Sequence, residues 1–283
     1  MLSIILGLIN VIPLGIANSM SRKPSQAIGG KNVLFYRQIV TSIGLTIVLL
    51  FNLKTAHFDL KYIVLTFIIS IICYFAMLTL YKSIEVGKVG IVSPISSSYV
   101  IYSVILTTLF FKTPISGNQI ISIAAIIIGA LLINLNFRDI RSGKKSIIEG
   151  VIPAFWSSIF FGVFFFLIQF PNKVLGPFLT APLIEIAMFA CVAIDLNKKR
   201  KKVADSKITF NTIFWIGLLT VIATTAFYYG LSICNASIFL VISSSSPMVV
   251  ILYGYFVFKE KLTLQQYAAV LLILAGICTI AIK

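Results

Sequence analysis

Long apolar runs separated by short polar breaks make up most of the chain. Ten runs occupy residues 2–20, 32–51, 60–81, 89–111, 115–137, 147–170, 178–196, 209–231, 236–258 and 264–282. Each is close to the roughly 20 residues that carry a helix across about 30 Å of hydrocarbon. Transmembrane strands alternate apolar and polar residues over about ten positions. The run 123–133, by contrast, is apolar on every side. The pattern therefore predicts an all-α integral membrane protein of ten transmembrane helices.

Composition strengthens this reading. The 283 residues are 59% hydrophobic and 11% charged, with a mean hydropathy of +1.05. A soluble domain averages about 25% charged residues, so this chain lacks the polar groups to cover a water-facing surface. The same numbers exclude disorder. The opening segment lacks the basic region of a secretory signal, so the first run is read as a retained span. Ala17-Asn18-Ser19 leaves a small-x-small cleavage site as the alternative. The four cysteines (Cys73, Cys191, Cys234, Cys278) all lie in apolar runs without CxxC spacing. They read as small buried hydrophobes.

The net charge of +15 would suggest nucleic acid in a soluble protein, but its distribution argues for a lipid bilayer. The odd-numbered connections hold 3, 2, 4, 6 and 2 Lys and Arg, a total of 17. The even ones, with Lys61 counted in the second, hold 2, 1, 1 and 0, a total of 4. Basic segments translocate poorly, so the odd connections are expected in the cytoplasm and both termini outside. The basic run at residues 198–202 joins two spans and reads as a retention anchor on anionic headgroups, not as a nucleic-acid arm.

The chain is also internally repeated. A shift of 147 lays residues 76–133 on 223–280 without a gap, with 13 of 58 positions identical. Tyr81 falls on Tyr228, and Ser96-Ser97-Ser98 on Ser243-Ser244-Ser245. Phe111-Lys112, Gln119 and Gly129 fall on Phe258-Lys259, Gln266 and Gly276; Gly15 falls on Gly162 and Pro24 on Pro171. The units expected are residues 1–142 and 143–283. Five helices per unit is an odd number, so the second unit must enter the membrane inverted. Inverted repeats are a transporter architecture with the substrate site at the repeat interface.

In these residues the chain resembles the EamA-type ten-helix branch of the drug/metabolite transporter superfamily. The similarity is best in the second half, in Ser243-Ser-Ser-Ser-Pro247, then Val257-Phe-Lys-Glu-Lys-Leu-Thr263, Gln266 and Gly276. The first half has Lys112-Thr-Pro-Ile115 and lacks the acidic hairpin residue. Arg37 resembles an arginine often found in the second span of that family. The resemblance implies a secondary transporter of small metabolites, amino acids among them, working without a nucleotide-binding domain or cofactor. It also implies that the first, third, sixth and eighth spans complete the cavity.

Candidate site residues follow from polarity inside apolar spans. Ser96, Ser97, Tyr99 and Tyr102 lie in the fourth span, and Ser243, Ser244 and Ser246, before Pro247, in the ninth. Serine hydroxyls at such depth either pack helices together or line a cavity. Pro247 frees the carbonyl of Ser243. Pro94 opens the fourth span, as a hinge or a plain helix start. Trp156, Tyr81, Tyr228 and Asn10 are further candidates, the aromatics as apolar walls. The cluster Phe160–Phe166 reads as lipid-facing packing. Ala125 and Gly129 mark tight helix packing or a dimer face, leaving monomer or homodimer open.

Two ionisable groups lie within spans. Glu185, near the middle of the seventh, is a candidate for proton coupling or for binding a cationic group, or else a paired structural glutamate. Arg37, about two turns into the second, is expected to snorkel to the interface, with charge pairing to Glu185 as the alternative. A membrane-embedded enzyme is the rival class. It would need a constellation of catalytic groups, whereas the only histidine, His57, has no HxxxH, HExxH or DxxD companion, and no Walker or Rossmann glycine pattern occurs.

Overall fold

The computed structural model describes residues 2–86, 92, 95–111, 116–132, 145–196, 207–259 and 263–279. Pro94, the segment 112–115, the basic run 198–202 and the acidic hairpin residue Glu260 lie outside the described residues. The described chain is helical: α1 (Leu2–Ile28), α2 (Gly30–Phe51), α3 (Leu60–Val86), α4 (Tyr99–Phe111), α5 (Gly117–Leu132), α6 (Lys145–Leu167), α7 (Gln169–Leu175), α8 (Pro177–Leu196), α9 (Lys207–Ile233), α10 (Ala236–Ser243), α11 (Ser246–Phe258) and α12 (Leu264–Thr279). A short 3-10 turn, Leu53–Thr55, follows α2. Among the described residues, seven helical stretches can cross a membrane by length and composition, and three apolar helices are shorter, Ile95–Phe111, Gly117–Ala130 and Leu264–Thr279.

Helix ends depart from the hydropathy boundaries. α1 runs on to Ile28, through Pro24, and α3 to Val86. Hydropathy marks where hydrocarbon ends, whereas a helix ends where its backbone hydrogen bonds stop. α1 stops at Gly29 (φ 87°, ψ 144°), and α7 stops at Gly176 (φ 85°, ψ 160°). This region of backbone space is open essentially to glycine alone. The two glycines are 147 residues apart.

The same offset relates most of the helix frame. Gly30 and Pro177 open α2 and α8; Leu60 and Lys207 open α3 and α9; Gly117 and Leu264 open α5 and α12. The packing repeats as well. α1 lies on α9 as α6 lies on α3, α11 on α1 as α4 on α6, and α2 on α9 as α8 on α3; α2 packs on α8, and α5 on α12. Individual contacts recur in pairs. A Cβ added at Gly129 would meet Ile273 at 2.7 Å, and one at Gly276 would meet Ile126 at 2.7 Å. Likewise, a Cβ at Gly15 would meet Val249 at 2.5 Å, and one at Gly162 would meet Tyr102 at 2.7 Å. Each partner is its counterpart's residue plus or minus 147. The buried apolar core draws residues from α1 to α6 and from α8 to α12.

Candidate functional site

The serine blocks break their helices at one equivalent point. Ser98 N–H bonds the carbonyl of Ile95 at 3.3 Å and its hydroxyl donates to the same oxygen at 2.7 Å. Ser245 repeats this on Ile242 at 3.1 and 2.6 Å. The third serine of each block is thus consumed in closing a turn, and Pro247 starts the next helix without needing a donor. Ser244 is likewise spent within the backbone, its hydroxyl donating to the Val241 carbonyl at 2.7 Å. The first serine of each block is different. Ser96 and Ser243 are buried, and neither Oγ has a hydrogen-bond partner.

Both face a central cavity of two adjoining lobes. The first lobe, of about 90 Å³, is bounded by Asn10, Arg37, Cys73, Tyr99, Glu185, Thr220, Tyr228 and Ser243 among polar or sulfur-bearing groups. Phe161, Phe164, Phe165 and Phe227 supply its apolar wall. The second, of about 110 Å³, lies towards the later turns of α1 and α3 and is bounded by Asn18, Ser96, Ser97, Ser246, Leu80 and Ile84. Leu14, Arg37, Met77, Tyr99, Phe161 and Phe165 border both lobes. An apolar chamber with a few convergent polar groups is the usual form of a small-molecule site.

The ionisable residues meet at its inner wall. Arg37 is 2% exposed and does not snorkel. Its Nη1 donates to Tyr81 Oη at 3.3 Å, and its Nη2 lies 3.8 Å from Glu185 Oε2. The guanidinium turns inward because cavity and carboxylate offer it more than the apolar exterior of α2. Glu185 Oε2 is held by Gln38 Nε2 at 2.6 Å and Thr41 Oγ1 at 3.3 Å. Gln38 and Glu185 occupy equivalent positions, 38 and 185, so one repeat holds a carboxylate where the other holds an amide. Their contact pins α2 to α8. Asn10 Nδ2 donates to the Ala223 carbonyl at 2.9 Å, and its counterpart Ser157 donates to the Ala76 carbonyl at 3.0 Å. Asn10 Oδ1 is left without a partner.

Of the residues expected at the site, Asn10, Arg37, Ser96, Ser97, Tyr99, Tyr228, Glu185, Ser243 and Ser246 border the lobes. Tyr81 stands one residue behind, against Arg37. Ser244 borders neither lobe. Trp156 and Tyr102 depart from expectation: they are 49% and 39% exposed and border neither lobe. Trp156 stacks on Phe160 at 6.1 Å on the outer side of α6, and Tyr102 covers Gly162. The phenylalanine cluster also departs from expectation, because Phe161 and Phe165 face inward and pack on Tyr99. Hydropathy gave no sign of Thr220, Met77, Gln38 or Thr41. Gln38 could have been found through the 147-residue offset, which sets it against Glu185. Among the described residues no group of three or more His, Cys, Asp or Glu could hold a metal ion.

The model of the EamA-like transporter family matches residues 1–135 and again 148–282. The chain belongs to the EamA-like transporter family. The two matches have equal length and begin 147 residues apart, so this EamA-like chain carries its family unit twice. It is a multi-pass membrane protein of a transporter family. An uncharacterized protein from Methanocaldococcus jannaschii is 30% identical over 137 residues, 47% of this chain and 97% of that protein. An uncharacterized transporter from Archaeoglobus fulgidus is 21% identical over 204 residues, 72% of this chain and 70% of that one. A crystal structure with 12% identity superposes on 99% of this chain and 96% of its own, with a TM-score of 0.79. That likeness bears on the fold alone.

Proposed function

We propose that this EamA-like chain is a secondary carrier that exports a small polar or amphipathic metabolite, an amino acid or related compound, across the cell membrane by alternating access. The ten apolar helical runs are read as ten spans in two inverted units, 1–142 and 143–283, with both termini outside. The observation that carries the reading is the central chamber between the two halves. Its walls pair equivalent positions, Ser96 with Ser243 and Tyr99 with Ser246. Equivalent halves give a direct mechanism. If each half can adopt the other's conformation, exchanging the two opens the chamber to the opposite side.

Helix direction supports the inversion. Gly7 and Gly15 of α1 meet Ile242 and Val249, so α1 runs parallel to α10 and α11. Ser122 meets Thr279 at 2.9 Å and Gly129 meets Ile273, so α5 and α12 run antiparallel. Both relations fit ten alternating spans. Glu185, between Gln38 and Arg37 at the contact of α2 and α8, is the group to which proton coupling is assigned. Purified chain in proteoliposomes loaded with a mixed amino-acid pool should release substrate under an imposed pH gradient. Glu185→Gln should flatten the dependence on that gradient. No flux of any component, at any gradient, would remove the carrier reading.

A further inference from the structure

We infer that the Nε/Nη2 edge of Arg37 is the seat of a substrate carboxylate, so that the chamber selects solutes bearing that group. The inference rests on the carrier reading for its biological use but concerns binding alone. A guanidinium buried only as a structural strut is expected to be saturated with acceptors, since an unpaired buried charge is costly. Arg37 is not saturated. Neither Nε nor Nη2 has a hydrogen-bond partner, although the residue is 2% exposed. Nη1 alone bonds an oxygen, that of Tyr81 at 3.3 Å. Glu185 does not fill the vacant edge: its Oε2 is committed to Gln38 and Thr41 and stays 3.8 Å from Nη2.

Nε–H and Nη2–H of one guanidinium point the same way, with the spacing of the two oxygens of a carboxylate. The vacant edge is thus a bidentate site; Arg37 borders both lobes, and because Nε and Nη2 are themselves fully buried here, a solute reaches that edge as the chamber widens around it. The neighbouring orphans fit the rest of such a solute. Asn10 Oδ1 is an acceptor without a donor, because Nδ2 is fixed on Ala223. Ser243 Oγ, also without a partner, can give or take a hydrogen bond. Phe161 and Phe165 suit an apolar body. The second repeat places Ile184 where the first has Arg37, so the doubled fold holds one such seat per chain.

Matched ligands test this on the intact chain in detergent. 3-Phenylpropionate and L-phenylalanine are compared with 3-phenylpropanamide and L-phenylalaninamide, which keep the shape and lose the anion. Ligand-induced thermal stabilisation is titrated for the wild type, Arg37→Gln and Arg37→Lys. At least one acid should stabilise the wild type with an apparent affinity about tenfold or more above its amide. Arg37→Gln should abolish that preference, and Arg37→Lys should restore only part of it. Amides binding as well as acids, no acid binding, or an undiminished preference in Arg37→Gln would each overturn the proposal. The acid–amide comparison on wild type needs no variant to fold. An acid that binds through Arg37 but is never moved in proteoliposomes overturns the carrier reading and leaves this one standing. Flux of an amide indifferent to Arg37 does the reverse.

Discussion

Breaking the pairing between Arg37 and Glu185 should cost far more than removing both charges together would suggest. Arg37 Nη2 and Glu185 Oε2 are 3.8 Å apart, and their side chains are 3% and 7% exposed, so solvent screens the pair little. Removing one partner of a buried pair strands the other and costs about 3–5 kcal/mol. The separation exceeds hydrogen-bond length, which places Glu185→Gln near the lower end, at about 3 kcal/mol. Arg37→Met should cost less, because Glu185 keeps the Gln38 and Thr41 donors. The double variant strands no charge. Its cost should fall below the sum of the single ones by about 1–3 kcal/mol, the range seen for contacting residues. Unfolding of the purified, ligand-free chain in mixed micelles reads all four species. Additivity within about 0.5 kcal/mol would refute the view that the two charges act as one unit.

Three further outcomes follow from the packing. Ser243→Ala removes a buried hydroxyl with no partner; it should leave the melting temperature unchanged or raised while lowering flux in proteoliposomes, and a clear loss of stability would show that the hydroxyl is satisfied. Gly276→Leu pushes a side chain into Ile126 and the Ser122 carbonyl, which a Cβ alone would meet at 2.7 and 2.9 Å; a destabilisation of about 1–3 kcal/mol or more is expected, measured by the same unfolding assay, and Gly129→Leu should cost about as much. Trp156→Leu alters the outer side of α6 and should leave both flux and ligand affinity within about twofold of wild type, since isolated surface changes away from special features cost little; a large loss of affinity would bring the indole back into the site.

What could be read from the chain alone depended on which signals survive in lipid. The apolar helical character and the repeat were legible because apolar length and the 147-residue offset need no knowledge of facing. The repeated serine block pointed to the chamber, but only side-chain hydrogen bonding divides it into Ser96 and Ser243 facing the cavity, and Ser98 and Ser245 closing a turn. The direction of Arg37 was misjudged because distance along a helix sets depth and not azimuth, and a snorkelling arginine has the same depth as an inward one. Trp156 failed for a related reason. A soluble helix advertises its buried side by an apolar stripe, whereas α6 is apolar all round and does not distinguish lipid from cavity. The repeated glutamine at 119 and 266 has a plainer meaning than its alignment suggested. Ser116 and Gln119 exchange hydrogen bonds at 3.0 and 3.4 Å, and Thr263 and Gln266 at 2.9 and 3.3 Å. These are reciprocal capping boxes that start α5 and α12.

Those two caps offer the most direct test of inverted duplication. Ser116 and Thr263 are exposed, lie 147 residues apart and do the same local work. Single Ser116→Cys and Thr263→Cys variants are made in a background with Cys73, Cys191, Cys234 and Cys278 replaced, then exposed to a membrane-impermeant maleimide. The cysteine at 116 should label in intact cells, and the one at 263 only after the membrane is opened. Labelling of both from the same side would contradict two five-helix units threaded in opposite senses.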